Sequence, residues 1–172
     1  GYPPSVFAQM PRLVERLGTS DRGSITGLLT VLVDGDDFNE PVSDALRGYL
    51  DGHIVLDRSI AARGQFPAID VLASISRLMD KVVSDDHNMA ARKVRGWLAR
   101  YEESRDLIAV GAYRRGSDPD LDEAITRIQA IETLLYQGRD RRSFDSTLAG
   151  LAEIIQGPPG QAPDEMVGFP GH

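Results

Sequence analysis

No cysteine occurs among the 172 residues, so disulfide bridges, thiolate metal sites and thiol nucleophiles are excluded. Lysine is nearly as scarce. Lys81 and Lys93 are the two present, and neither follows a glycine, so the phosphate-cradling loop G-x-x-x-x-G-K-[ST] is absent from the chain. The three histidines, His53, His87 and His172, are scattered, with no pair at helical metal-ligand spacing. The longest apolar stretch, residues 25–33, is broken by Thr26, Gly27 and Thr30 and is too short to span a bilayer. The N-terminus lacks the charged and apolar regions of a signal peptide, so a soluble cytosolic chain is expected. Positive charge is the minority sign. A formal net charge of −7 argues against nucleic acid as a partner, since strand and duplex binding are dominated by basic surface.

What is present suffices for a folded protein. An apolar fraction of 41% supplies a core, and the length suits one good domain or parts of two. The chain opens on Gly1-Tyr2-Pro3-Pro4 with no initiator methionine, which reads as a piece of something longer. Ser5 is placed to cap a helix over residues 6–17, where Val6, Met10, Leu13, Val14 and Leu17 recur at three- and four-residue steps. Pro11 should bend or restart that helix. Residues 18–23 read as a polar loop. Residues 24–33 read as a strand apolar on both faces, the pattern of a central strand in a covered sheet. That strand runs into Asp34, which invites a magnesium-carboxylate reading. Without the phosphate loop, Asp34-Gly35-Asp36-Asp37 reads better as an acidic turn, and it does not fit a calcium loop.

A helix over residues 41–50, a strand over 53–56 and a helix over 58–62 capped by Asp57 come next. His53 reads as a strand-end residue, with no nucleophile or carboxylate placed beside it in sequence. This alternation is α/β material with an incomplete sheet. Residues 64–80 then show no simple helix or strand period. They join an aromatic, Phe66, to a proline that fixes its own φ, and continue to Ser74-Ile75-Ser76-Arg77, read as a polar turn carrying one cation. A planar ring and a placed guanidinium are what a nucleotide asks for at its base and its phosphates. The plainer alternative is a core phenylalanine and a surface ion pair.

After Asp80 the pattern is helical throughout. Ser84-Asp85-Asp86 opens a helix with an apolar stripe of Ala90, Val94, Trp97, Leu98, Tyr101 and Ile108, and with Arg92, Lys93, Arg95, Glu102 and Glu103 outside it. Gly111-Ala112-Tyr113 breaks the stripe. Gly116-Ser117-Asp118-Pro119 opens a second helix, with Leu121, Ile125, Ile128, Ile131 and Leu135 at helical spacing and an end near Gly138. A third, over residues 143–156, should bury Phe144, Leu148, Leu151 and Ile155. The tail from Gly157 to His172 has too little apolar content to pack.

Taken in order, these landmarks resemble the C-terminal part of the flagellum-specific ATP synthase family, the export ATPases of flagellar and virulence type III secretion. That family is similar in turn to the subunits of rotary ATP synthases. The resemblance is carried by Gly1-Tyr2-Pro3-Pro4-Ser5-Val6-Phe7, Gly23-Ser24-Ile25-Thr26, Gly35-Asp36-Asp37 with Glu40-Pro41, Leu50-Asp51-Gly52-His53-Ile54, Phe66-Pro67-Ala68-Ile69-Asp70, Ser74-Ile75-Ser76-Arg77, and Gly111-Ala112-Tyr113 with Gly116-Ser117-Asp118-Pro119. It implies an α/β-plus-α fold: the C-terminal part of a RecA-like nucleotide-binding domain (residues 1–82), an all-helical C-terminal domain (83–156) and a disordered tail (157–172). It implies a homohexamer that hydrolyses ATP to energise protein export, with ATP and Mg2+ held mainly by a phosphate loop, a catalytic glutamate and a Walker B aspartate upstream of Gly1. The fragment alone is not expected to be active.

Arg77 matches the arginine finger that reaches into a neighbour's nucleotide site. Phe66 matches the aromatic that stacks on adenine, and Tyr2 lies where the family places a tyrosine near the phosphates. Asp118, Asp120, Asp122 and Glu123 fall at the place of the acidic lever loop of rotary subunits. They can face a basic central stalk, or simply complement a helix N-terminus. The partners implied are the stalk, a negative regulator, the export gate and the exported proteins, with no nucleic acid and only peripheral membrane association at the cytoplasmic base of the apparatus. The alternatives are a non-catalytic module that binds stalk or regulator, and a rotary synthase subunit, which the residues from Gly111 to Pro119 disfavour.

Overall fold

The computed structural model describes residues 3–33, 40–138 and 141–157; Tyr2, the turn at Asp34 and the tail beyond Gly157 lie outside them. The elements alternate and then become helical: α1 (Pro4–Val14), β1 (Gly18–Ser20), β2 (Gly23–Ile25), α2 (Pro41–Tyr49), β3 (Gly52–Leu56), α3 (Arg58–Ala62), β4 (Ile69–Ser76), α4 (Met79–Val82), α5 (Asp85–Ala109), α6 (Pro119–Leu135) and α7 (Phe144–Gln156). They form two units. One runs to His53 and includes Ile75–Leu78; the other comprises Ile54–Ser74 and the described residues from Met79 onward.

In the first unit α1 packs on α2. Pro3 and Pro4, rather than Ser5, start α1, and no side chain caps it. A proline in the first turn lacks only an N–H that would be orphaned anyway. The helix carries Pro11 within it and runs on to Val14. The expected polar loop at 18–23 is a two-residue hairpin, with Gly18 opposite Ile25, Thr19 opposite Ser24, and Ser20 opposite Gly23. The expected central strand is reduced to β2, and residues 26–33 are irregular. Among the described residues no second strand lies beside them, and Leu28 and Leu32 stand 94% and 89% exposed. The apolar pattern is that of a covered strand, but a strand forms only where a neighbour supplies its hydrogen bonds.

β3 pairs with β4, and α3 between them is capped as the sequence suggests: the Asp57 side chain accepts from the amides of Ser59 and Ile60. Residues 69–76, read as aperiodic with a polar turn at the end, are instead the eight-residue strand β4.

The helices of the second unit keep their expected starts. Ser84, Asp118 and Ser143 each accept an amide of the first turn, from His87, Leu121 and Ser146. α5 packs on α6 and α7, and α6 on α7. Val94 and Trp97 of α5 meet Leu121, Ala124 and Ile131 of α6 and Ile154 of α7 in the buried core. The Arg127 guanidinium lies 5.5 Å from the centre of the Trp97 ring, a cation–π contact that covers the indole. Phe144, expected inside, is 67% exposed and meets the His87 ring edge-on at 5.9 Å; being the first residue of its helix, it lies at the margin of the seam. Among the described residues no helix is long and apolar enough to cross a membrane.

Ile131 is fully buried and Leu28 is not. Ile131→Ala should therefore cost about 2 to 5 kcal/mol and Leu28→Ala less than about 0.5 kcal/mol. Urea unfolding followed by the fluorescence of Trp97, the single tryptophan, measures both; equal effects would contradict this core.

Candidate functional site

The local structure around Arg77 begins with a mismatch between two strands. Asp57 N–H donates to the Ala68 carbonyl at 2.9 Å, and Arg77 N–H donates to the Asp51 carbonyl at 2.8 Å. Residue order reverses between these bonds, so the pair is antiparallel. Between them β3 advances 57 − 51 = 6 residues and β4 advances 77 − 68 = 9. The three-residue excess, 9 − 6, is a β-bulge. Side chains stabilise it at residues 70–74. Asp70 Oδ1 accepts the amides of Leu72 and Ala73, each at 2.9 Å. Ser74 Oγ donates to the Asp70 carbonyl at 2.5 Å and accepts the Val55 amide at 3.0 Å. Arg95 of α5, expected to be solvated, turns inward and donates to the carbonyls of Val71, Leu72 and Ser74.

Arg77 comes directly after the strand and is exposed. Its Nη1 donates to the Gly48 carbonyl at 3.4 Å and its Nη2 to the Arg47 carbonyl at 3.1 Å. Those carbonyls close the C-terminal turn of α2, where the helix dipole and orphan acceptors favour a cation. Among the described residues no carboxylate pairs with Arg77, so the plain ion-pair alternative has no partner here. Two long hydrogen bonds to neutral carbonyls at an exposed site are readily exchanged for shorter ones to an anion.

Phe66, in the second unit, sits in the turn between α3 and β4. It precedes a cis peptide bond to Pro67. Its carbonyl accepts the Gln137 amide at 2.8 Å, which ties the turn to the residues after α6. At 54% exposure Phe66 is not a core residue. A groove of about 690 Å³ nearby is lined by residues that include Arg63, Gln65, Tyr101 and Tyr136, without Phe66.

The four acids at the start of α6 divide into two kinds. Asp118 Oδ1 caps Leu121 at 3.1 Å while Oδ2 pairs with Arg100. That guanidinium first, and the Leu121 amide next, hold its carboxyl below the ordinary carboxylate range. Asp122 accepts the Tyr113 hydroxyl at 2.9 Å and the Gly116 amide at 2.7 Å; burial and then that bond push the Tyr113 phenol up. Asp120 and Glu123 are exposed, and their carboxylates make no hydrogen bond with the described residues. Asp120 borders a small hollow beside Lys93, Trp97 and Arg100. Sequence reasoning missed Arg95, Arg100 and Tyr113. Nothing in their spacing distinguishes them from solvated or stripe residues. Among the described residues no group of three or more His, Asp or Glu side chains could hold a metal.

Two family descriptions match in succession: the nucleotide-binding domain of the ATP synthase alpha/beta family over residues 1–76, and the C-terminal domain of the type III secretion ATPase EscN over residues 83–153. The chain belongs to the flagellar and type III secretion export ATPase family. It is 51% identical over 155 residues to the flagellum-specific ATP synthase of Bacillus subtilis, and 50% identical over 155 residues to the type 3 secretion system ATPase of Xanthomonas euvesicatoria. Each alignment covers 90% of this chain and 35% of the relative, so the chain spans about a third of the relatives it matches. The assembled ATPase EscN of the enteropathogenic E. coli type III secretion system superimposes with a TM-score of 0.86 at 41% identity, covering 90% of this chain and 38% of that one. The same ATPase in complex with its central stalk EscO gives 0.81 at 40%, covering 90% and 37%. In this member of the family the α/β half is the C-terminal part of a RecA-like domain, and α5–α7 belong to the family's C-terminal domain.

The acidic turn makes a pH prediction. Because folding depresses the Asp118 pKa, its stabilisation is full above about pH 4 and is lost as pH falls through the lower folded value. Asp118→Asn keeps a capping oxygen but loses the charge facing Arg100. Its acid unfolding, followed by Trp97 fluorescence, should be shallower below about pH 4 than that of the parent. Superimposable acid limbs would remove Asp118 from the account.

Proposed function

We propose that the protein containing this chain hydrolyses ATP in a homohexameric ring at the cytoplasmic base of a type III or flagellar apparatus and so energises protein export. Residues 1–82 complete its nucleotide-binding domain and residues 83–156 form its helical C-terminal domain. Arg77 is the arginine finger, supplied to the neighbouring subunit. The observation that carries this reading is the state of the Arg77 guanidinium: exposed, at the end of β4, and bound among the described residues only by two helix-end carbonyls. Phosphoryl transfer spreads negative charge over the γ-phosphate oxygens. A planar, permanently charged guanidinium delivered in trans can engage two of those oxygens at once, and an arginine so placed raises turnover by roughly 10³ to 10⁵. Each subunit then donates one finger and receives another, which makes hydrolysis depend on ring assembly. Phe66, half exposed on its turn, stacks on adenine, a contact any base face allows. Tyr2, by the family resemblance alone, is the candidate for a contact near the phosphates. ATP and Mg2+ are held mainly by residues upstream of Gly1.

The stalk contact falls to Asp120 and Glu123, because Asp118 and Asp122 are already engaged within the chain. The EscN–EscO complex supports a stalk partner for this family, and complementary charge there would set register more than affinity. The regulator, the export gate and the exported proteins complete the partners.

In the full-length protein Arg77→Ala should leave ATP binding intact and lower turnover by about 10³-fold or more. Phe66→Ala should weaken nucleotide affinity with less effect on maximal rate. Steady-state hydrolysis together with nucleotide titration separates the two. Wild-type turnover in Arg77→Ala ends the finger assignment, and unchanged affinity in Phe66→Ala ends the stacking one.

A further inference from the structure

We propose that Gln137 is a positioning residue for the base-stacking Phe66, its backbone N–H holding the turn that carries the ring, so that the helices after Asp80 take part in nucleotide binding. The inference rests on the stacking reading above and deepens it.

Little else holds Phe66. The turn between α3 and β4 is anchored at its two ends, where the Gln65 amide donates to the Ile60 carbonyl at 3.3 Å and the Asp57 amide to the Ala68 carbonyl at 2.9 Å. Pro67, between Phe66 and Ala68, has no N–H to give. Among the described residues the Gln137 amide, 2.8 Å from the Phe66 carbonyl, is the only hydrogen-bond partner of Phe66. Phe66 is 54% exposed and stands outside the cluster packed on the core, so the backbone, more than packing, sets the direction of its ring. A carbonyl fixed in space fixes the peptide plane behind it, and with it the bond on which the side chain leaves the chain.

The donor stands on a firm base. Tyr136 N–H donates to the Glu132 carbonyl at 2.8 Å, and the Arg142 guanidinium closes the last turn of α6 by donating to the Leu134 and Thr133 carbonyls at 3.0 and 3.3 Å. Ile131 is fully buried, and Leu134 and Leu135 pack against the same core. Gly64, Gln65, Leu135 and Tyr136 line one groove, so the two segments lie side by side and do not meet at the hydrogen bond alone. All of these residues belong to the second unit. Phe66 falls within the match to the nucleotide-binding domain and Gln137 within the match to the C-terminal domain; the hydrogen bond crosses from one to the other. Displacing the end of α6 would carry the ring with it.

The test uses the full-length ATPase and reads the affinities for ADP and for inorganic tripolyphosphate by calorimetry, with KM and kcat for ATP. Gln137→Pro deletes the N–H, and Tyr136 before it is already extended, with φ −75° and ψ 121°, as a following proline requires. ADP affinity should fall by about 3- to 10-fold, the weight of one neutral hydrogen bond, and KM should rise while kcat holds. Tripolyphosphate, which has no base to stack, should bind as it does to the parent. Gln137→Ala, which keeps the N–H, should restore ADP affinity. In a Phe66→Ala background, adding Gln137→Pro should cost nothing further, since the two act through one contact. Should Gln137→Pro fail to fold, an α-hydroxy acid at position 137 removes the same N–H without a ring and carries the comparison. Parental ADP affinity in a folded variant without the N–H, an equal loss for tripolyphosphate, or the same loss in the Phe66→Ala background overturns the inference and leaves the stacking reading standing. Unchanged affinity in Phe66→Ala itself would instead remove the stacking reading, and this inference with it.

Discussion

A strand that takes in extra residues must find hydrogen bonds for the groups it swings out of its ladder, and much of this molecule's local chemistry answers that one requirement. Asp70 serves two amides, Ser74 bridges the two strands, and Arg95 reaches from α5 to three carbonyls. Buried backbone groups without partners are rare because each costs about as much as a lost hydrogen bond. A long helix is thereby bonded to a strand by one side chain rather than by apolar packing alone. α5 has two duties, one face in the core through Val94 and Trp97 and one residue turned toward β4.

The same economy sorts the acids of α6. A sequence shows four carboxylates in six residues, which reads as one charged surface. In the fold, two of them complete the turn that begins the helix. Arg100, Tyr113 and the Gly116 amide engage them, and of the four only Asp120 and Glu123 make no hydrogen bond with the described residues. Charge that is already matched inside a chain contributes little to steering another molecule, so the surface that remains is smaller and more local than composition implies.

Legibility in the sequence tracks how local each determinant is. Helix starts with their own caps, at Asp57, Ser84, Asp118 and Ser143, are legible at or within a residue of their place. The core stripe of α5 and α6 is legible too, because its period belongs to a single helix. Strands fare worse, since a strand's partner is distant in sequence. Residues 26–33 have the composition of a covered strand and no strand beside them among the described residues. β4 looks aperiodic because its bulge interrupts the alternation on which a strand is recognised: the first four of its eight residues are all half-buried. Arg77 and Phe66 are legible as an uncommon pairing of cation and ring, but their exposure cannot be read from spacing. Arg95 is invisible, sitting one position from the stripe, where a long side chain can point either way.

The irregular residues 26–33 have a practical side. Leu28 and Leu32 stand almost wholly in solvent, on backbone that forms no ladder among the described residues. Exposed apolar side chains of this kind are where another molecule can bind. Two leucines so exposed are an aggregation liability for the isolated chain, and self-association through them would rise with protein concentration.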